Sequence, residues 1–510
     1  MSAAAGSRFA WRRSALGVDL GAALNLVGAL LKYLALSALL GIGVALLYGE
    51  SVLPFVVAGA GAAGGGWLLQ RLTTGKERVG VREGFFVVAF TWILGAAFFA
   101  TPYLVAGEPQ LGRVVDAYFE AMSGMTTTGA SVLTNVEELP RSVLMWRQFS
   151  QWIGGMGIIV LALAVLPRLR VGGRQLFESE LPGPEVEQLT ASIRTVAQRL
   201  WVLYVALTAV LVLVLACIGW SGADPLMSFY DAVAYAFTTM PTGGFGTKAR
   251  SVEEFAAPTQ WVLALFMTVA GMNFALIYAL VRRAANPFRD EEFRLYLVIM
   301  LLASAALVGK LVEQGLYEGE AAVRHSVFQA VSMMTTTGYA SVDFNEWPVF
   351  AGMILVGLMI VGGSAGSTAG AIKVVRVLVT ARILRRELDQ TVHREVVVPI
   401  RLNGSTIDER TVRGIGVFVT LYLVTFLLGT LALVVSETFQ GVGELTWAEA
   451  VSATATTLGN VGPGLGQLGP MASFAGLADT SIVILVVLMW MGRLELLPVI
   501  ILFTREYWRR

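Results

Sequence analysis

Ten apolar runs dominate this 510-residue sequence, each long enough or nearly long enough to cross ~30 Å of hydrocarbon as a helix. They lie at 25–48, 52–70, 84–105, 149–166, 200–220, 259–281, 294–312, 350–372, 414–435 and 480–503. With 56% hydrophobic and 14% charged residues, the chain has too few charged groups to cover a soluble globule. The sequence therefore predicts an all-α polytopic membrane protein. The first run is longer than the core of a signal peptide, so we expect an uncleaved span there.

Basic residues between the runs indicate the orientation. The segments 71–83, 167–174, 282–294 and 381–401 are rich in Lys and Arg, as are both chain ends, and all fall on one side if the spans alternate. Because such residues stay in the cytoplasm, we expect both termini to be cytoplasmic. The opposite side carries the acidic residues Glu108, Asp116, Glu137, Glu138, Asp224, Glu253, Glu254, Glu313, Glu318, Asp343, Glu346, Glu437 and Glu444. They could form a vestibule that attracts cations or merely solvate loops.

Four segments on this acidic side each contain an apolar stretch too short to span, followed by Thr, Gly or Asn. They are 114–131, 228–246, 325–341 and 447–466, and two of them share the string MTTTG. Taking Gly129, Gly243, Gly338 and Gly462 as equivalent, the repeating unit is span, short helix, Thr/Gly turn, span. We therefore divide the chain into an N-terminal segment with two extra spans (1–79) and four repeats (80–175, 176–290, 291–400 and 401–510).

A half-helix that enters the membrane and turns back leaves backbone groups unpaired, which lipid cannot satisfy. The turn must then line a water-filled path or be buried in protein. Four such turns around one axis predict a pore, in which each short helix points the negative end of its dipole at the axis and the turn carbonyls replace part of a cation's hydration shell. Glycine permits the backbone angles that such a turn needs.

These turns, TTTGAS, TMPTGGFG, TTTGYAS and GNVGPGLG in that order, resemble the four filter segments of the Trk/Ktr/HKT superfamily of potassium transporters. The two extra N-terminal spans are similar to the bacterial TrkH type. The resemblance implies a pseudo-fourfold potassium-uptake pore in the bacterial inner membrane, a homodimer in the lipid bilayer, and a cytosolic TrkA-type regulator that binds NAD(H) or ATP/ADP. The filter positions it implies are Thr127, Thr128, Gly129, Thr242, Gly243, Thr337, Gly338, Asn460, Val461 and Gly462. Plant relatives that prefer sodium have serine at the first glycine, so Gly129 favours potassium.

The eighth run contains GGSAGSTAG at 362–370, a density of Gly and Ser that should break a helix in its middle. Such a break is tolerated at membrane depth only where it faces a cavity or protein, and it could obstruct or open a pore. In TrkH-like proteins the matching break is an intramembrane gate below the filter. The gating positions that the resemblance implies are Gly362, Gly363, Ser364, Gly366, Ser367, Thr368 and Gly370, followed by Lys373 and Arg376.

Arg493 lies deep in the last run, where an arginine is expensive and usually faces the bundle interior or a water path. The family has an arginine here that contacts the gating loop and hinders cations until the gate opens. A structural pair with Glu495, or a side chain that reaches the membrane surface, is the alternative.

Other classes of function have weaker support. The net charge of +1 argues against nucleic-acid binding, and the lone Cys217 and two histidines, His325 and His393, provide no disulfide framework or metal motif. GGSAG (362–366) fits the G-x-S-x-G pattern of a hydrolase nucleophile elbow but lacks its strand–turn–helix context. The glycine-rich segment 360–377 has neither the Gly-Lys-Ser/Thr nor the preceding strand of a phosphate-binding loop. We therefore expect no enzyme and no cofactor, with K⁺ as the transported ion. The main alternative is a secondary transporter coupled to H⁺ or Na⁺, whose site would lie between two inverted repeats.

Overall fold

The computed structural model describes residues 17–73, 80–164, 189–284, 286–393, 395, 398–440 and 444–509. The predicted basic segment 167–174, the N-terminal arginines and part of 71–83 lie outside the described residues. Two spans precede the repeats. The first, Leu20–Tyr48, consists of α1 (Leu20–Ala35) and α2 (Ala38–Tyr48), and the second is α3 (Leu53–Leu72). Helices α1 and α3 pack backbone to backbone at two glycines, since a Cβ on Gly28 would lie 2.7 Å from the carbonyl oxygen of Gly66.

The first two repeats each contain a short helix between longer ones. Repeat 1 consists of α4 (Val81–Ala106), α5 (Val114–Met125) and α6 (Arg141–Ala164). Repeat 2 consists of α7 (Leu189–Trp220), α8 (Phe229–Thr239), α9 (Ala257–Ala270) and α10 (Phe274–Val281). The axes of α9 and α10 differ by 102°, because Gly271 ends the first helix and the Asn273 side chain caps the second by accepting from the backbone N–H of Ala275 and Leu276.

The last two repeats follow the same order. Repeat 3 consists of α11 (Glu291–Glu313), α12 (Gly319–Met334), α13 (Val349–Val361) and α14 (Val374–Val392). A two-stranded hairpin, β1 (Arg401–Leu402) and β2 (Ser405–Thr406), leads to repeat 4. That repeat consists of α15 (Glu409–Gln440), α16 (Trp447–Gly459), α17 (Asp479–Arg493) and α18 (Leu497–Ile500), with α19 (Arg505–Trp508) at the end. The predicted all-α fold of two N-terminal spans and four helix–short helix–helix repeats is confirmed.

The ten apolar runs do not all form straight spans. Within the described residues, six segments are long and apolar enough to cross a membrane as continuous helices, and two bent pairs bring the number to eight. The runs 259–281 and 480–503, predicted as single spans, are these bent pairs, with the second bent by 114°. Glu495 and Leu496 cause that bend, since both have a positive φ (57° and 60°) that a helix cannot continue through. The helix formed by the eighth run, α13, ends at Val361, where the predicted break begins.

The core is mainly apolar, but polar side chains are also buried near the centre and large apolar side chains face outward. The four short helices lie at the centre with buried polar side chains, such as Glu120, Ser332 and Thr456, each fully shielded from solvent. Large apolar side chains on the long helices face outward, with Leu47, Leu301 and Leu427 more than half exposed. A surrounding bilayer accounts for the exposed apolar side chains, because lipid covers the apolar exterior, while most polar groups must be satisfied within the protein.

Candidate ion pathway

The four short helices α5, α8, α12 and α16 end in turns with one shared backbone pattern. In each turn a residue with a left-handed angle is followed by one whose N–H donates to the carbonyl five residues earlier. The left-handed residues are Thr127, Thr242, Thr336 and Asn460, with φ of 51°, 54°, 57° and 55°. The four hydrogen bonds are Thr128 to Ser123 (2.8 Å), Gly243 to Thr238 (2.8 Å), Thr337 to Ser332 (2.9 Å) and Val461 to Thr456 (2.8 Å). We call these segments turns 1 to 4.

According to this backbone pattern, the glycine of turn 2 that corresponds to Gly129 lies one residue later than the sequence predicted. A glycine with positive φ follows in every turn, at Gly129, Gly244, Gly338 and Gly462. Gly244, not Gly243, is thus the counterpart of Gly129, and the predicted equivalence of Gly243 with the other three glycines is wrong. Gly243 occupies the position of Thr128, and Thr242 occupies that of Thr127. The sequence could not distinguish the two, because turn 2 has two consecutive glycines and either could correspond to the one glycine of each other turn.

The turns form a closed ring in chain order. A Cβ on Gly129 would overlap the carbonyl oxygen of Gly243, and one on Gly244 would overlap that of Thr337. A Cβ on Gly338 would likewise overlap the carbonyl oxygen of Val461, and one on Gly462 would lie 2.8 Å from that of Thr128. Each turn therefore touches the next, and turn 4 touches turn 1, which only glycine at these four positions allows.

Carbonyl oxygens in this ring are buried without hydrogen-bond donors. Thr128, Thr337 and Val461 are each 0% exposed, and no donor among the described residues reaches their carbonyl oxygens. Buried carbonyls almost always have a partner, because leaving one unpaired costs about 1–3 kcal/mol. An unpaired set in one ring is what coordination of a desolvated cation requires.

Buried side chains behind the turns hold them in place, and sequence reasoning missed these residues. Glu120 accepts from the Val132 N–H (3.0 Å) and the Ser131 hydroxyl (2.9 Å), and its carboxylate pairs with Arg147 at 2.5 Å. The Arg147 guanidinium lies 3.3 Å from the centre of the Phe245 ring, which joins turn 1 to turn 2. A glutamate within an apolar half-helix, and an arginine in a span, were the available signals.

Other polar contacts support turns 2 and 3. The Gln151 amide donates to the Gly243 carbonyl (2.5 Å) and accepts from the Phe245 N–H (3.2 Å). The Tyr339 hydroxyl shares hydrogen bonds with the threonines of α8, 3.1 Å from the Thr239 hydroxyl. His325 lies 3.0 Å from the Ser341 hydroxyl, so one of the two histidines supports the segment after turn 3. These contacts fix the backbone in a geometry that the turn residues alone would not hold.

Two of the acidic residues expected in a vestibule have structural roles instead. Asp224 is 1% exposed and accepts from the Ala256 N–H (2.8 Å) and the Thr259 hydroxyl. Glu437 is 2% exposed and accepts from the Ala478 N–H (3.0 Å). Glu108 lies between helices, where burial, reinforced by the nearby charge of Glu50, raises the pKa of its carboxyl.

The chain between α13 and α14, residues 362–373, is a non-helical loop packed against the turns; we call it the break loop. Its Ser364 N–H donates to the Gly271 carbonyl (2.9 Å), at the bend between α9 and α10. The Thr368 hydroxyl donates to the carbonyls of Met240 (3.1 Å) and Ala270 (3.2 Å). The Gly370 N–H donates to the Thr336 hydroxyl of turn 3 (2.9 Å).

The loop's glycines explain its shape. Gly362 and Gly366 have φ of 76° and 73°, and a Cβ on Gly370 would overlap the carbonyl oxygen of Gly459, beside turn 4. Gly363 packs against Gly271, since an added Cβ would lie 3.0 Å from its carbonyl oxygen, and the Ser367 hydroxyl closes the loop internally on the Ser364 carbonyl (2.6 Å). The loop thus contacts repeats 2, 3 and 4.

Arg493 reaches this loop from the end of α17. It is 2% exposed, and its guanidinium donates to the Thr368 carbonyl (2.8 Å) and, from the other side, to the Gly154 carbonyl (3.5 Å). It does not pair with Glu495, and it does not reach the membrane surface, so both alternatives raised for it are wrong. A buried arginine held by neutral carbonyls keeps a full positive charge next to the loop.

Glu495 pairs with the two basic residues that follow the break loop. Its carboxylate binds the Lys373 ammonium at 2.7 Å and the Arg376 guanidinium, and all three side chains are less than 10% exposed. Arg376 also stacks on the Phe418 ring, 4.0 Å from its centre. The Lys373 ammonium is therefore committed to this ionic cluster, which fastens the end of the loop to the bend after α17.

A polytopic all-α fold with a ring of four re-entrant turns defines the class of membrane transport proteins that pass a solute through one pseudo-symmetric centre. The particular family follows from comparison with known proteins: residues 62–510 match the TrkH family of cation transport proteins, and the chain belongs to that family. It is thus a transport protein and not an enzyme, as predicted. Within the described residues, no group of His, Cys, Asp and Glu is suited to hold a metal ion.

Relatives match over nearly the whole chain. The Trk system potassium uptake protein TrkH of Salmonella typhimurium is 34% identical over 499 residues, covering 94% of this chain and all of that protein. The Trk system potassium uptake protein TrkG of Escherichia coli is 33% identical and covers 88% of this chain and 89% of that protein. The crystal structure of the potassium transporter TrkH from Vibrio parahaemolyticus matches with a TM-score of 0.85 at 32% identity, covering 96% of this chain and all of that one.

Proposed function

We propose that this chain carries potassium ions into the cell across the cytoplasmic membrane, through the ring formed by turns 1 to 4. The observation that carries the proposal is the set of buried carbonyls of Thr128, Thr337 and Val461, which lack donors among the described residues. A dehydrated K⁺ at the centre of the ring would accept these oxygens as ligands. The relatives named as potassium uptake proteins support the choice of ion.

The filter in this proposal consists of residues from all four turns: Thr127, Thr128 and Gly129; Thr242 and Gly243; Thr337 and Gly338; and Asn460, Val461 and Gly462. Gly244 joins them, because its positive φ makes it the counterpart of the single glycine in each of the other turns. The glycines allow the backbones to meet, and the residues before them contribute carbonyls. The four repeats keep the boundaries 80–175, 176–290, 291–400 and 401–510, each supplying one turn.

The break loop and Arg493 form the gate in this proposal. Their contact supports it, since the Arg493 guanidinium donates to the Thr368 carbonyl at 2.8 Å while Thr368 also bonds to the backbone just before turn 2. A fixed positive charge beneath the ring repels a cation that leaves it. Opening then requires the loop to move away from at least the turn 3 contact between Gly370 and Thr336.

Regulation and assembly follow the family pattern in this proposal: a homodimer with both termini in the cytoplasm, controlled by a cytosolic TrkA-type protein that binds NAD(H) or ATP/ADP. The basic helix α14 after the loop is the surface on which such a partner would act. Light scattering of the purified protein tests the dimer, and uptake with and without the partner and each nucleotide tests the control.

The deciding experiment is ⁸⁶Rb⁺ uptake into K⁺-loaded proteoliposomes, against excess external K⁺ or Na⁺, for the wild type and Gly129→Ser. We expect K⁺ but not Na⁺ to compete in the wild type, and the serine to reduce that difference because its side chain would meet the Gly243 carbonyl. Gly222→Ser is the matched control, since Gly222 also has a positive φ (76°) but open space around its Cβ position. Equal competition by the two ions in the wild type would contradict the potassium filter.

A further inference from the structure

A cavity of about 680 Å³ opens beside the bend of repeat 2. It lies between the short helix α10 and the start of α11. The residues that matter in its lining are Met272, Leu280, Arg283, Pro287, Phe288 and Arg289.

The cavity has an apolar wall that faces outward. Leu280 and Phe288 are 47% and 64% exposed, and the neighbouring Val281 is 66% exposed. Helix α10 turns by 102° from α9, so it no longer follows the direction of the span that precedes it. A short helix that turns across the spans, with exposed apolar residues followed by arginines, is typical of a segment lying in the membrane interface.

The residues that line the cavity carry positive charge and no negative charge. Arg283 and Arg289 are both exposed and have no acidic partner among the described residues, and no carboxylate lines the cavity. The three acidic residues that follow Arg289 in the sequence make hydrogen bonds or ion pairs with other groups. Asp290 accepts from the Phe293 N–H (2.7 Å), Glu291 pairs with Arg382, and Glu292 accepts from the Ala365 N–H of the break loop (2.6 Å).

We propose that this cavity binds the headgroup of an anionic phospholipid, with Arg283 and Arg289 holding the phosphate and the acyl chains lying along Leu280 and Phe288. Basic pockets between spans on the cytoplasmic side commonly take such headgroups. A protein partner would need a comparably acidic surface carrying apolar groups at the same depth, whereas a membrane lipid carries a phosphate and hydrocarbon already spaced in this way. The proposal does not depend on the ion that the pore carries.

Another cavity in the described residues provides an internal comparison. It measures about 550 Å³ and is lined by Arg386, Glu409 and Arg413 among apolar residues of α14 and α15. There the Arg386 guanidinium already pairs with the Glu409 carboxylate at 2.6 Å. Its charge is partly neutralised within the protein, so we expect it to discriminate less between anionic and zwitterionic lipid.

The test uses the purified full chain in detergent, titrated with phosphatidylglycerol or phosphatidylcholine and followed by native mass spectrometry. The variant is Arg283→Asn with Arg289→Gln. Asparagine suits position 283 because Arg283 has φ of 55°, an angle that asparagine tolerates well, so lost binding would not reflect backbone strain. Arg294→Gln is the control, being an exposed arginine on α11 that does not line the cavity.

We expect the wild type and Arg294→Gln to bind phosphatidylglycerol more tightly than phosphatidylcholine. Each arginine lost from the cavity should weaken phosphatidylglycerol binding about fivefold, since each basic residue near an anionic lipid surface contributes about 1 kcal/mol. Arg289→Lys should retain most of the preference, because it keeps the charge. The thermal unfolding midpoint of each variant, measured in the same detergent, distinguishes lost binding from lost fold.

Three results would overturn the proposal. The first is equal binding of the two lipids by the wild type. The second is unchanged phosphatidylglycerol binding by a correctly folded double variant. The third is displacement of the lipid by sn-glycerol 3-phosphate at comparable concentration, which would assign the cavity to a soluble phosphate compound. Loss of lipid binding without loss of ⁸⁶Rb⁺ uptake leaves the proposed transport function unaffected.

Discussion

The Asn460 side chain donates to the Thr128 hydroxyl at 3.0 Å, joining residues 332 positions apart in the sequence. The same amide donates to the Met489 carbonyl at 3.0 Å, so it also connects the ring to α17. This contact closes the ring, because Asn460 belongs to turn 4 and Thr128 to turn 1. The fourth turn therefore has a specific structural role. The Asn460 side chain stands where the other turns have a threonine, and it links repeat 4 to repeat 1.

Replacing Asn460 should loosen the ring. Asn460→Ala removes two hydrogen bonds of about 1 kcal/mol each and places alanine at a φ of 55°. In this variant we expect external K⁺ and Na⁺ to inhibit ⁸⁶Rb⁺ uptake to more similar extents, with the difference between them reduced several-fold. Asn403→Ala is the control, since Asn403 has φ of 50° in the hairpin loop far from the ring. A similar loss of selectivity in the control would mean that backbone strain alone is responsible.

The register of turn 2 predicts unequal effects of two adjacent substitutions. Gly244→Ala puts a Cβ on the Thr337 carbonyl at a φ of 79°, whereas Gly243→Ala meets only the Gln151 side chain at an ordinary φ. We therefore expect Gly244→Ala to abolish selective uptake and Gly243→Ala to retain part of it. The reverse order in the ⁸⁶Rb⁺ assay would restore Gly243 as the counterpart of Gly129.

The role of Arg493 separates into charge and hydrogen bonding. Arg493→Gln removes the positive charge next to the break loop, so basal ⁸⁶Rb⁺ uptake without a regulator should rise several-fold. Arg493→Lys keeps the charge but cannot span the carbonyls of Thr368 and Gly154 with one planar group. Uptake by the lysine variant should stay near the wild-type level. If both variants conduct equally well, the hydrogen bonds and not the charge would close the proposed gate.

Breaking the Glu495 cluster should destabilise the protein. Glu495→Gln leaves Lys373 and Arg376 buried without a counter-charge, and removal of one partner of a buried ion pair costs about 3–5 kcal/mol. We expect a clear fall in the thermal unfolding midpoint in detergent. Glu320→Gln, which removes the partner of Arg324 in a pair whose carboxylate is exposed, should change it much less. An unchanged midpoint for Glu495→Gln would show that water or lipid reaches the cluster.

Breaking the Glu120–Arg147 pair should affect both turn 1 and the stability of the fold. Glu120→Gln keeps the size of the side chain but removes the charge that holds Arg147 and weakens acceptance from Ser131 and Val132. We expect reduced ion selectivity together with a lower unfolding midpoint. The double variant Glu120→Gln with Arg147→Met should recover part of the midpoint, because no charge then remains unpaired. No recovery would indicate that Arg147 acts mainly through Phe245.

The sequence by itself determined the all-α membrane fold, the four re-entrant turns, the break after Val361 and the family. These features are local: an apolar run of spanning length, a threonine–glycine string, or a cluster of glycines constrains its own backbone wherever the chain folds. Only the tertiary structure decided the register of Gly243 and Gly244, the bends at Gly271 and Glu495, and the partners of Glu120 and Arg493. These features depend on contacts between backbones and charges of different repeats, which the local sequence does not specify. In the low-dielectric interior an unpaired polar group is costly, so these contacts decide the local geometry. The break loop shows both contributions, since its glycines predict a break but its contacts with three repeats decide where it lies.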